Sequence, residues 1–192
     1  LLTTKMFEVA HRHPPIRRLT SIAGEAMQRL ANDVNQSMHL AIIHSGKVLV
    51  IAQVDCPDNN ITAVRLGAQI NIYDTASGRV LAAWMAPDAR DMLLQEAGGE
   101  GKEEHQAFLA DLRDVREAGY CESQSLTIGG VLNLSAPIFD FSGKVVAALT
   151  IPFIHRLSGT SIVTVDECRE RLVALCADIS RRLGAGAGTG GQ

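Results

Sequence analysis

The stretch GVLNLSAPIFDFSGKVVAALTIP, residues 130–152, is the part of this sequence that decides the fold. Two apolar runs flank the segment from Asp140 to Gly143, and this pattern predicts a β-hairpin. If Asp140 and Gly143 close the turn, the pairing of the two strands follows by counting outward from it. The expected cross-strand pairs are Asn133 with Thr150, Val131 with Pro152, and Ser135 with Ala148.

Side chains alternate between the two faces of a strand, so the hairpin has one purely apolar face and one mixed face. The apolar face carries Leu132, Leu134, Leu149 and Ile151, and the mixed face carries Asn133, Ser135 and Thr150. A few polar groups on an otherwise apolar surface are typical of a small-molecule pocket. An ordinary core, in which Asn133 and Thr150 satisfy each other, fits the same pattern. The hairpin residues alone leave both interpretations open.

The composition indicates a globular chain with a hydrophobic core. Its 192 residues are 46% hydrophobic and 20% charged, which fits one compact domain with attached helices. The net charge of −3 gives no electrostatic support for nucleic-acid binding by the chain as a whole. The four cysteines lack CxxC spacing, and the sequence has neither a secretory leader nor a run as long as a membrane span. We therefore expect a reduced, cytoplasmic protein.

Hydrophobic periodicity predicts an α+β fold, with an antiparallel sheet flanked by helices. The predicted helices are residues 16–35, 74–85, 87–96, 103–118 and 165–183, and the predicted strands outside the hairpin are 38–43, 48–54, 61–66 and 120–123. Ser45-Gly46 between the first two strands is a strong signal for a two-residue turn.

The helix start Asp74-Thr75-Ala76-Ser77-Gly78 is a second candidate site. Either Asp74 or Thr75 can cap the helix, and the free backbone N–H groups of its first turn can bind an anion. The small side chains of Ala76, Ser77 and Gly78 would let a ligand approach closely. Because every helix has such an end, this feature alone is weak.

Catalytic signatures are poor in this sequence. There is no GxSxG motif, no metal-binding spacing of histidines and no phosphate-binding glycine loop. A small hydrolase on this scaffold would have to use Cys121 with His105. A ligandless oligomerisation or interaction module is the other alternative to a ligand-binding domain.

Several blocks, in the right order and spacing, resemble the C-terminal effector-binding domain of the IclR family of bacterial transcriptional regulators. The blocks are Leu66–Gly67 with Ile70–Ala82, Leu112–Tyr120, Gly130–Ile151 and Ile179–Gly184, and together the resemblance covers about residues 16–184. It implies a GAF/profilin-like domain that senses a small molecule, has no catalytic residues and needs no cofactor or metal.

The resemblance also implies how the chain is organised. Residues 1–15 would be the end of a linker helix from a missing winged helix-turn-helix domain, residues 16–184 the effector-binding domain, and residues 185–192 a disordered tail. Operator DNA would be contacted only through the missing domain. The family further implies a homodimer through the N-terminal helix, or a tetramer.

Family members bind a small effector, often a carboxylate, between the sheet and the helix that follows the third strand. Carried over by position, the ligand-binding residues are Ala76, Ser77, Ser123, Val131, Asn133, Thr150 and Pro152. The side chains of Asn133, Thr150 and Ser77 would hydrogen-bond the polar end of the ligand. Val131, Pro152 and Ala76 would shape its apolar contacts, and Phe153 is expected to add an aromatic wall.

Overall fold

The computed structural model describes residues 14–58, 64–98, 102–155 and 163–186. In these ranges the helices are α1 (Pro14–Val34), α2 (Ala76–Ala83), α3 (Pro87–Glu96), α4 (Lys102–Ala118) and α5 (Val165–Arg182). The strands are β1 (Met38–His44), β2 (Lys47–Val54), β3 (Gln69–Ile70), β4 (Cys121–Gln124), β5 (Val131–Phe139) and β6 (Val145–Ile154). A short 3-10 helix, Ile72–Asp74, leads into α2.

The six strands form one sheet in the order β3-β2-β1-β6-β5-β4, and every neighbouring pair is antiparallel. The β1–β2 turn is the predicted one, since Ser45 and Gly46 both have positive φ angles, as the tight hairpin turn requires. Sheet and helices together confirm the predicted α+β class.

Helices cover both faces of the sheet and bury a separate core on each. Helices α1 and α5 pack on one face, where Leu134, Leu149 and Ile151 lie among their apolar side chains. Helices α2, α3 and α4 pack on the other face, which contains Ala41 and Ala148. The predicted division of the β5–β6 hairpin into two faces is therefore confirmed.

The predicted register of that hairpin is wrong by two residues. Asn133 pairs with Pro152, Ser135 with Thr150, and Val131 with Ile154. The turn is longer than a two-residue turn, because an Asp140 carboxylate oxygen accepts hydrogen bonds from the N–H groups of Ser142 and Lys144. A bulge between Ile138 and Phe139 adds the second residue of the shift. A shift of two preserves the faces, because side chains alternate with a period of two.

The predicted third strand also needs correction. Residues 61–63 lie outside the described residues, and residues 64–66 are not in a strand. The strand that pairs with β2 is Gln69–Ile70 instead. Gly67 has a φ of +81° and its N–H donates to the Val50 carbonyl, so the chain turns before this strand begins.

The ends of the predicted domain lie mostly outside the described residues. Residues 1–13 and 187–192, where we predict the linker helix and most of the tail, are not described. Pro14, the first described residue, is already helical, so α1 reaches at least two residues ahead of its predicted start at residue 16. None of the described helices is long and apolar enough to cross a membrane.

Candidate functional site

The start of α2 is held close to the sheet by a tight turn. The Thr75 hydroxyl accepts a hydrogen bond from the Gly78 N–H at 2.9 Å, so Thr75 and not Asp74 caps the helix. A Cβ atom on Gly78 would collide with the carbonyl oxygen of Ile72, which explains why glycine occupies this position. Asp74 itself is exposed and is the last residue of the 3-10 helix that precedes Thr75.

A chain of three hydroxyl groups connects α2 to the hairpin. Thr150 Oγ1 donates to Ser135 Oγ at 2.8 Å, and Ser77 Oγ lies 3.2 Å from Thr150 Oγ1. Because the Thr150 hydrogen is used on Ser135, Ser77 is the donor in the second bond. All three side chains are buried. We call Ser77, Thr150 and Ser135 the hydroxyl chain.

Ser135 is missing from the residues carried over from the family, although strand alternation placed it on the right face. The wrong register paired it with Ala148, so its contact with Thr150 could not be foreseen. The observed register makes Ser135 and Thr150 direct neighbours.

The remaining predicted residues lie on the same face, further along the strands. Ser123 pairs with Asn133, and Asn133 pairs with Pro152 on its other side. Ser123 and Asn133 are half-buried, whereas Val131 and Pro152 are buried. Ala76 is buried at the first position of α2, next to Ser77. The structure thus brings the seven predicted ligand-binding residues to one face of the sheet and the helix end above it.

Phe153 does not line this face, so the expectation of an aromatic wall is wrong. Its side chain is buried in the core under α1 and α5, and its ring contacts His155 with a centroid distance of 5.1 Å. The physical reason is strand alternation. Pro152 faces α2, and its neighbour Phe153 must therefore point to the opposite face.

His39 is a further polar residue of this face, and it is absent from the residues predicted to bind the ligand. It pairs directly with Thr150 across β1 and β6 and is 6% exposed. Burial lowers the pKa of His39 to about 4, so its imidazole is neutral at neutral pH. Alternation within β1 puts His39 on the face of Ala41, but finding its neighbour requires the strand order, which a local pattern does not contain.

The residues of the hydrolase alternative lack catalytic properties. Burial, as the main cause, raises the pKa of the Cys121 thiol to about 11, so the nucleophilic thiolate is scarce at neutral pH. His105 Nδ1 lies 3.1 Å from the Tyr73 hydroxyl, and the two side chains form a hydrogen bond. Within the described residues, no cluster of three His, Cys, Asp or Glu side chains could hold a metal ion.

The charges around α2 are paired with each other. Arg79 Nε lies 2.9 Å from Asp111 Oδ2, which ties α2 to α4. The Arg79 guanidinium also lies over the Phe108 ring, 5.5 Å from its centroid. Tyr73 packs on Phe108 as well, with a centroid distance of 4.7 Å. This cluster fixes the position of α2 over the sheet.

A cavity of about 780 Å³ lies at the opposite end of the sheet, between the start of α1 and the tip of the β5–β6 hairpin. Its lining is mostly apolar and includes Ile16, Leu19, Met85 and Phe141. It shares no residue with the predicted ligand site. The large apolar cavity and the buried polar side chains therefore lie at different ends of the sheet. We base the ligand site on the polar chemistry, because convergent polar groups give a small-molecule site its specificity.

A comparison with known families identifies the class of protein. Residues 15–181 match the family model described as the C-terminal domain of the bacterial transcriptional regulator IclR. The match spans most of the chain, and the matched family is one of bacterial transcriptional regulators. The chain belongs to the IclR family, as its C-terminal domain.

Individual relatives agree with this assignment. The HTH-type transcriptional regulator KdgR of Escherichia coli is 30% identical over 157 residues, which cover 79% of this chain and 60% of that protein. The crystal structure of the C-terminal domain of E. coli KdgR has a TM-score of 0.72 at 26% identity, covering 87% of this chain and 99% of that one. These relatives are transcriptional regulators and not enzymes.

A third comparison concerns a protein with a bound ligand. An IclR homolog from Microbacterium hydrocarbonoxydans, crystallised in complex with 4-hydroxybenzoate, has a TM-score of 0.75 at 21% identity, covering 93% of this chain and 73% of that chain. The likeness concerns the fold. The chain spans 52–63% of the length of the curated regulators that it matches first.

Proposed function

We propose that this domain senses a small organic molecule, preferably a carboxylate, which binds between the start of α2 and the β5–β6 hairpin. The observation that carries this proposal is the hydroxyl chain, which joins the predicted helix end to the predicted hairpin face. The 4-hydroxybenzoate complex of the IclR homolog supports a carboxylate as the ligand class. Membership of a family of regulators supports a sensing role.

The proposed contacts divide by chemistry. The half-buried amide of Asn133 can both donate and accept, and the Ser123 hydroxyl on the neighbouring strand can assist it. The first N–H groups of a helix have no partner within the helix, and Thr75 satisfies that of Gly78. The N–H groups of Ala76 and Ser77 are then available to a carboxylate. Val131 and Pro152 would contact the apolar part of the ligand.

The hydroxyl chain suggests how binding could be transmitted. A carboxylate only accepts hydrogen bonds, so one that accepts from the Ser77 hydroxyl must replace the Ser77–Thr150 bond, which holds α2 against the sheet. Helix α2 is tied in turn to α4 through Arg79 and Asp111. A ligand shifts an equilibrium only by its different affinity for the two states, and this exchange of contacts would supply such a difference.

The rest of the proposal concerns the whole regulator. DNA would be contacted by a winged helix-turn-helix domain outside this chain, connected through residues 1–15, and the regulator would act in the cytoplasm as a dimer or tetramer. The greater length of the curated relatives supports an additional domain.

The alternative is an interaction module without a ligand. It is favoured by the fact that Ser77, Thr150 and Ser135 satisfy one another's hydrogen-bonding groups. In that case Asn133 and His39 would be ordinary core residues.

Thermal melting against a panel of aliphatic and aromatic carboxylates, including 4-hydroxybenzoate, tests the proposal. A ligand at a hundredfold its Kd stabilises the folded state by about 2.7 kcal/mol. The variant Asn133→Leu should lose the shift, whereas Asn32→Leu, the same change on the exposed surface of α1, should keep it. A flat panel with a folded protein contradicts carboxylate sensing and favours the interaction module.

A further inference from the structure

We propose that the carboxylate of the effector binds beside His39, and that binding transfers one proton from solvent to the imidazole to form an imidazolium–carboxylate pair. This inference rests on the proposed function and deepens it. It adds His39 to the binding residues, fixes the charge of the effector and makes its affinity depend on pH.

The geometry puts the imidazole at the hydroxyl chain. His39 and Thr150 are direct cross-strand partners, and the side chains of such pairs lie on one face, with Cβ atoms about 4.5–5.5 Å apart. Within the described residues, the hydrogen bonds include none to a ring nitrogen of His39, although the residue is only 6% exposed. The ring nitrogens of His39 are not among the fully buried polar atoms without a partner in the described residues, so water or a ligand can reach them.

A positive charge beside the hydroxyl chain would favour the entry of a carboxylate. Moving a carboxylate from water into a buried site is costly unless a counter-charge or several donors replace its hydration. The hydroxyl chain, Ser123, Asn133 and the N–H groups at the start of α2 supply uncharged donors only. Strands β5 and β6 contain no titratable side chain, and Gln53, which pairs with His39 on β2, is neutral.

The charged and titratable groups of the surrounding elements are bonded to other side chains, stay neutral, or lie away from His39. Arg79, the titratable residue of α2, is paired with Asp111, and Tyr73 is bonded to His105. Cys121 pairs with Ser135 on the same face, and burial raises its pKa to about 11, so it stays a neutral thiol.

At the far end of β1, His44 pairs with Lys47, and both are exposed. The Asp74 side chain before α2 is exposed as well. Among the described residues of this face, His39 is therefore the base that can become a cation.

The direction in which affinity changes with pH follows from the protonation state of His39 before and after the effector binds. Burial holds the pKa of His39 at about 4, so the free protein is unprotonated there at neutral pH. A bound carboxylate raises the pKa of the imidazole, because it favours the charged form. Binding then takes up a proton. The affinity should rise as pH falls from about 8 through the pKa of the complex, by at most ~tenfold per pH unit, and fall again below about pH 4, where the carboxylate of the effector is itself protonated.

The test is isothermal titration calorimetry with 4-hydroxybenzoate, benzoate, pyruvate and succinate, at about pH 6 and about pH 8. Each titration is run in buffers of different ionisation enthalpy, so that the slope of the observed heat against that enthalpy counts the protons taken up. We expect uptake of about one proton per bound ligand at the lower pH, where the imidazole of the complex is protonated. His39→Gln should abolish the uptake and flatten the pH dependence, while His44→Gln, a change on the exposed end of the same strand, should leave both unchanged.

The outcomes separate this inference from the proposed function. Binding without proton uptake overturns the inference and leaves the sensor intact. The absence of binding by all four acids at both pH values overturns both proposals. If His39→Gln does not fold, the ring signals of His39 in the wild-type complex decide by NMR, since a neutral ring in the bound state contradicts the ion pair.

Discussion

The Thr150 hydroxyl donates a hydrogen bond to the Ser135 hydroxyl at 2.8 Å, directly across β5 and β6. Both side chains are buried, and Thr150 is also bonded to Ser77 of α2. One threonine therefore connects two neighbouring strands with the helix that covers them.

Replacing Thr150 by valine tests how much its hydrogen bonds contribute to the stability of the fold. Thr150→Val keeps the shape but leaves the hydroxyls of Ser77 and Ser135 buried without their partner, which costs about 1–3 kcal/mol for each unsatisfied group. We expect a matching loss in the free energy of unfolding, measured in urea. Thr127→Val, in an exposed loop, should change it by less than about 0.5 kcal/mol. Equal effects of both changes would show that the hydroxyl chain does not stabilise the fold.

Gly78 should be the more sensitive of two helical glycines. Gly78→Ala forces a Cβ atom into the carbonyl oxygen of Ile72, so the turn into α2 must distort. We expect a loss of roughly 1–3 kcal/mol, the range for strain at a packed position. The matched control is Gly24→Ala on α1, where a Cβ atom meets nothing within 4 Å. That change should stabilise the protein by about 0.5–1 kcal/mol through helix propensity. The two variants should therefore change the free energy of unfolding in opposite directions. A Gly78→Ala variant as stable as the wild type would contradict the close approach of α2 to the Ile72 carbonyl.

Asp140 should contribute stability that depends on pH. Burial alone would raise the pKa of its carboxyl, but hydrogen bonds from Ser142 and Lys144 outweigh it and hold the pKa below its usual value. A lowered pKa means that the contribution is present above the pKa of the unfolded chain and is lost as pH falls through that of the folded protein. Asp140→Ala should therefore be less stable than the wild type at neutral pH and approach it in acid. A difference in melting temperature that is independent of pH would contradict this role.

The four cysteines should be unreactive in the native protein. Cys56, Cys121, Cys168 and Cys176 are all buried, and burial raises the pKa of Cys121 to about 11 and that of Cys168 to about 12. We expect almost no reaction with a thiol reagent near pH 8 until denaturant is added, and then labelling of all four. Rapid labelling of Cys121 in the folded protein would revive the hydrolase alternative.

Local pattern was sufficient for most of this fold. The periods of the apolar residues located the helices and separated the two faces of the hairpin, because burial repeats with the geometry of each element. The register was wrong because it depends on the Asp140 side chain, which enlarges the turn, and on a bulge in the strand. The β3 strand was misplaced because two residues carry too little pattern to be recognised.

The candidate site was only partly predictable for a related reason. Ser77 and Thr150 were found from the helix start and the hairpin, each of which is a local signal. Ser135 lay on the correct face but was given the wrong neighbour. His39 was missed because its contact with β6 joins residues more than a hundred positions apart, which no window of sequence contains. Phe153 was placed at the ligand site because it follows Pro152 in the family pattern, although strand alternation puts its side chain on the opposite face.

The pairing of β1 with β6 has a consequence for the assembly of the domain. Strands β1, β2 and β3 form one half of the sheet, strands β4, β5 and β6 the other, and the two halves meet along a single seam at His39–Thr150, Leu40–Leu149 and Ala41–Ala148. The polar residues of both halves become neighbours only when this seam has closed. A molecule bound across this seam would contact both halves of the sheet and hold them together. It could bind only to a protein in which β1 and β6 have already paired.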